Sequence, residues 1–156
     1  ENKLKDQIDF MENNNYQFTY SDYVPFTEKN SHKSFKKKIP VPSSFNFTSF
    51  IQNTSIAMSS VIIKRSVTGK IKFENLKICE DYLYKCEILK KIENAFRCEN
   101  VLMYYRITKN SLQSNKFRNV YWIWYINKKF NKLKVLQNLK SIFLISLNSL
   151  KKYGFK

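Results

Sequence analysis

The chain has 156 residues, 43% of them apolar and 16% aromatic, which excludes a disordered polypeptide and allows one packed domain or a portion of a larger one. Its formal net charge of +16 favours anionic partners, yet only Arg65, Arg97, Arg106 and Arg118 among the 28 basic residues are arginines, so bidentate reading of phosphate and guanine has few agents. A single histidine, His32, excludes a His-rich metal site and a Ser-His-Asp triad, and Cys79, Cys86 and Cys98 have neither CxxC spacing nor an even count for disulfides.

Residues 1–14 read as a helix, with Leu4, Ile8 and Met11 on one face. No N-cap or turn precedes it, as expected of a piece of a longer polypeptide. The Asn13–Asn15 run ends it, and the alternation in YQFTYSDY predicts a strand over 16–23. Three prolines and the lysines at 36–38 predict a loop over 25–43, long enough to be functional. A short helix is expected over 47–52. The β-branched density of 55–64 predicts a buried strand, and Gly69 marks a turn.

From Asp81 to Lys91 the pattern is helical, with Leu83, Cys86 and Leu89 in step, acid at the start and lysine at the end. A strand over 95–107, a polar loop over 108–116 and two helices over 115–130 and 132–152 complete the chain. The last helix carries the stripe Leu136, Leu139, Phe143, Leu147 and Leu150, flanked by Lys132, Lys134, Lys140, Lys151 and Lys152. Two uses of that stripe stay open: packing against its own domain, or resting on an anionic membrane surface. No signal peptide is visible, and no apolar run approaches the roughly 20 residues of a membrane span.

The pair Glu80-Asp81 at a helix start is the conspicuous feature of so basic a chain. A carboxylate there is ordinarily a cap, favoured by the helix dipole. Its surroundings point further. The order LKDQIDFMENNNYQFTYSDY, SSVIIKR, EDYLYKCEIL and YYRITKNSLQSNK resembles the second half of a family 2 glycosyltransferase of the GT-A type, over residues 1 to about 125.

That resemblance implies an α/β chain, a partial GT-A (Rossmann-like nucleotide-diphospho-sugar transferase) fold with a mixed sheet. Its acceptor-side half would cover 1–112 and a C-terminal helical extension 113–156. It implies that Asp81 is the catalytic base of an inverting transfer and Glu80 its support. Arg106, Ser111, Ser114 and Lys116 would lie near the donor diphosphate, and Tyr20 and Asp22 beside the acceptor. The expected partners are a nucleotide-sugar donor and a glycan or lipid-linked acceptor, in bacterial surface polysaccharide synthesis, with the protein cytoplasmic and peripheral on the inner face of the membrane. A divalent cation, Mg or Mn, belongs to the full-length enzyme.

Two departures limit the resemblance. The nucleotide-binding first half with its D-x-D metal site is absent, so this chain alone is expected to be inactive. The Q-x-x-R-W motif of processive synthases is also absent, which favours single-sugar addition; Trp122 and Trp124 in VYWIWY read as packing residues. The alternative is a basic, non-enzymatic module that binds nucleic acid or anionic membrane.

Overall fold

The computed structural model describes residues 2–108, 111 and 115–153 of the chain. Two long strands, β1 (Phe18–Lys29) and β5 (Ala95–Arg106), run parallel at its centre. Their register runs from Thr19↔Phe96 to Ser21↔Cys98, then jumps to Asp22↔Leu102, so residues 99–101 of β5 bulge out of the ladder. The far edge of β1 is shared along its length. Antiparallel β4 (Ile62–Ile63) pairs with its start, Ile39 bridges Tyr23, and antiparallel β2 (His32–Phe35) pairs with its end. β3 (Ser44–Phe45) lies antiparallel to the start of β5, which gives a mixed, open sheet in the order β2-β1-β5-β3. The α/β class with a mixed sheet expected from the sequence is the one found.

The expected loop over 25–43 is half strand. β1 continues through Pro25 to Lys29, and Asn30 and Ser31, both at positive φ (49° and 62°), make the two-residue turn into β2. Paired positive φ values match the twist of a hairpin, which is why a turn fits where composition alone reads as loop. The expected strand over 55–64 shrinks to β4, preceded by a 3₁₀ turn at Met58–Ser60. There the Ser60 hydroxyl donates to the Ala57 carbonyl at 2.7 Å and the Gln7 amide donates to the Ser60 carbonyl at 3.0 Å, bonds that compete with a ladder.

Helices α1 (Lys3–Asn13), α2 (Phe47–Phe50), α4 (Glu80–Leu89), α5 (Lys116–Lys129) and α6 (Val135–Tyr153) fall where the periodicity puts them. The brief α3 (Arg65–Thr68) ends at Gly69, whose φ of 46° is the conformation glycine tolerates. α2 is closed by a reciprocal capping box between Asn46 and Ser49. Phe18, Tyr20, Phe45, Phe50, Leu83, Ile88 and Ile126 form the centre of one continuous core, which includes residues of α4 and α5.

Apolar residues of two helices face outward. α1 buries Gln7 and Met11, while Leu4 and Ile8 are exposed. In α6, where both uses of the stripe stood open, the stripe faces outward: Asn138 and Ser141 are buried, while Leu136 is 79% and Phe143 62% exposed. A polar hub explains the inward face. The Asn127 amide donates to Asn138 Oδ1 (3.0 Å) and Ser141 Oγ (3.1 Å), its Oδ1 accepts from Tyr82 OH (2.7 Å), and Ser141 Oγ donates to the Ile51 carbonyl. Among the described residues no helix is long and apolar enough to cross a membrane.

Candidate active site

α4 begins abruptly. Its N-cap, Cys79, is held in the left-handed region (φ 62°, ψ 21°) and offers no side-chain hydrogen bond, so the first turn relies on the carboxylates of Glu80 and Asp81 to complement the dipole. One turn on, the Lys85 ammonium donates to Asp81 Oδ2 at 2.8 Å. Lys85 is itself buried, donates to the Ile56 carbonyl at 2.9 Å and lies 5.7 Å from the Phe50 ring centre. A lysine immobilised by three neighbours in turn fixes the carboxylate it holds. The Asp81 side chain stays 26% exposed.

That exposed part borders a cavity of about 490 Å³. Its wall brings together Tyr23 of β1, Ser59, Phe73, Tyr105 of β5 and Asn119 of α5 with Glu80 and Asp81. Tyr23 and Tyr105 meet edge to face at 6.0 Å, and Phe73 stacks on Tyr84 at 4.2 Å. Burial pushes the Cys79 thiol up to about 12, with Asp81 and Glu80 reinforcing the shift against Lys85 and Arg118. A thiol so raised is protonated at neutral pH and is no nucleophile. Glu80 and Asp81 are the carboxylates that line this cavity.

The other residues singled out from the sequence are dispersed. Tyr20 is fully buried, donates to the Pro42 carbonyl at 2.7 Å, and has its phenol pKa raised by burial. Asp22, next along the same strand face, accepts from the Val41 amide (2.8 Å) and Arg97 (3.4 Å) through Oδ1 and from Lys38 (2.9 Å) through Oδ2. Both serve the core; it is Tyr23, on the opposite face of β1, that reaches the cavity. Arg106 pairs with Glu28 across the strands at 3.3 Å. Ser111 is half-buried and Lys116 exposed, and neither lines the cavity. Ser114 lies outside the described residues. The segment that carries these groups nonetheless begins after Tyr105 and ends before Asn119, both in the cavity wall.

Lys85, Tyr23, Tyr105 and Asn119 were not singled out from the sequence. Only Lys85 left a local signal there, the i, i+4 spacing from Asp81. Among the described residues no group of three or more His, Cys, Asp or Glu stands together to hold a metal ion, and Asp81 Oδ2 is already taken by an ammonium. The residues present do not fit the divalent cation that the resemblance implies for the whole enzyme.

Similarity to known proteins points in one direction. The chain is 26% identical over 150 residues to the putative teichuronic acid biosynthesis glycosyltransferase TuaG of Bacillus subtilis, covering 96% of this chain and 59% of that protein. It is 29% identical over 153 residues, 98% of this chain and 59% of its relative, to the UDP-Glc:alpha-D-GlcNAc-diphosphoundecaprenol beta-1,3-glucosyltransferase WfaP of Escherichia coli. Both relatives carry the name of glycosyltransferases. An uncharacterized glycosyltransferase of Haemophilus influenzae is 26% identical over 152 residues, 97% of this chain and again 59% of its own. The chain spans about three-fifths of the length of these curated relatives. No family model matches it, and no solved structure does. Nothing in these similarities favours a non-enzymatic basic module.

Proposed function

We propose that the chain is the acceptor-binding, base-supplying part of an inverting family 2 glycosyltransferase of the GT-A type, acting in bacterial surface polysaccharide synthesis. The observation that carries this reading is the Asp81 carboxylate, pinned through Oδ2 by buried Lys85 and still exposed to a cavity walled by tyrosines. The donor is a nucleotide sugar, and the acceptor a hydroxyl on a glycan or lipid-linked carrier; the name of the Escherichia coli relative, with its diphosphoundecaprenol acceptor, supports that choice.

In the reaction, the Asp81 carboxylate takes the proton of the acceptor hydroxyl as that oxygen bonds to the anomeric carbon. The bond to the nucleoside diphosphate breaks on the opposite face, and configuration inverts. Lys85 keeps the carboxylate in a fixed position for the attack, a gain in orientation rather than in chemistry. Glu80 supports the acceptor or the helix start. Arg106, Ser111, Ser114 and Lys116 are assigned to the leaving diphosphate, whose charge cations stabilise. Residues 1–112 carry acceptor binding and 113–156 form the helical extension. Any divalent cation of the whole enzyme is held by residues outside this chain, and the protein works in the cytoplasm, peripheral to the membrane's inner face.

The test uses the full-length enzyme. Asp81→Asn should abolish transfer while the circular dichroism spectrum and melting temperature stay close to wild type. Retained transfer would leave Asp81 a helix cap and remove the reading. The 156-residue chain by itself should show no transfer from any nucleotide sugar.

A further inference from the structure

The outward face of α6 is apolar and exposed. Its inward face is satisfied by Asn138 and Ser141, which both accept from the Asn127 amide, with Asn148 donating to the Gln52 carbonyl at 3.1 Å and Ile142 and Ile145 packed against the core. On the far side Leu136, Leu139, Phe143 and Leu147 stand exposed at spacings of three and four residues, a continuous apolar stripe. Exposed Lys132, Lys134, Lys140 and Lys151 flank it.

We propose that this stripe docks in the plane of an anionic lipid bilayer. Charge decides the occupant: after Glu99 the chain contains no Asp or Glu, while lysines continue to its end. A second copy would bring another wholly basic helix and repel, with no acid to pair across the seam. An anionic surface supplies the missing sign and takes up the leucines and phenylalanine at the boundary between headgroups and acyl chains. α6 has 19 residues but is not apolar enough to cross a bilayer. The inference deepens the reading of a lipid-linked acceptor by giving the surface on which that acceptor is met.

Vesicle flotation of the 156-residue chain tests it, with phosphatidylglycerol-rich vesicles compared with pure phosphatidylcholine. Neither contains acceptor or nucleotide sugar, so a failed transfer assay and a failed flotation are separate results. The chain should float with the anionic vesicles and bind phosphatidylcholine at least tenfold more weakly. The double variant Leu139→Gln/Phe143→Gln, at two exposed positions of the stripe, should lose at least tenfold in binding to anionic vesicles. A quadruple Lys→Gln variant at 132, 134, 140 and 151 should bind both vesicle types equally weakly. Three results would overturn the proposal: no flotation of the wild type, undiminished binding of the double variant, or a wild-type dimer in sedimentation equilibrium that the double variant dissolves.

Discussion

Asp22 and Asp81 are both carboxylates held by a lysine in a strongly basic chain, but they are held to different degrees. Asp22 is 4% exposed and receives the Val41 amide, Arg97 and Lys38; burial alone would raise its pKa, and these three outweigh it and hold the carboxyl below the usual range. Asp81 is gripped at one oxygen by Lys85 and keeps part of its surface in a cavity. A carboxylate saturated with donors has its basicity consumed by structure. One anchored on a single side keeps a lone pair for an incoming proton.

Four substitutions separate the two. The largest effect is expected from Asp81→Asn in the full-length enzyme: a fall in turnover of about a hundredfold to ten-thousandfold, the usual worth of a general base, read in a steady-state transfer assay with stability unchanged. Asp22→Ala should do the reverse. Leaving Arg97 and the Val41 amide without their acceptor costs about 3 kcal/mol, measured by urea denaturation, while the folded fraction keeps its turnover; equal stability would mean that the two sites had been assigned backwards. Lys85→Met ranks third, with turnover lowered by up to about 100-fold through a displaced base and KM for the acceptor little changed. A matching rise in KM would show that Lys85 binds substrate instead of orienting Asp81. The smallest effect concerns acid. With its pKa lowered in the folded state, Asp22 contributes stability that is fully present above about pH 4 and lost as pH falls through the folded value. Urea midpoints of Asp22→Asn should therefore fall less steeply than those of wild type on acidification below that pH.

The same contrast bears on what the sequence disclosed. α4, β5, α5 and α6 were legible because their periodicity is local, and Asp81 was legible because it opens one of them. The β1–β2 hairpin was not, since Pro25 and the lysine run mimic a loop and only the paired positive φ values at Asn30 and Ser31 betray the turn. Apolar periodicity located the faces of α1 and α6 but misassigned the inner one for α1. It identifies a stripe without saying which side is buried, and in both helices Gln7, Asn138 and Ser141 claim the interior through hydrogen bonds. The cavity wall was the least visible, because Tyr23 comes from an element far in the chain from those of Tyr105 and Asn119, and none of the three bears a signature of its own.

The hydrogen bond from Ser141 to the Ile51 carbonyl joins residues 90 positions apart. Loop closure over that distance belongs late in folding, and on a ribosome α6 leaves the exit tunnel after every element that it docks against. Until then the centre of its inner face shows water amides and a hydroxyl, groups that solvent satisfies, beside the apolar Ile142 and Ile145. The polar centre limits the apolar part of that face to Ile142 and Ile145 while α6 is undocked, and the clasp onto Ile51 closes after the elements that precede it have left the tunnel.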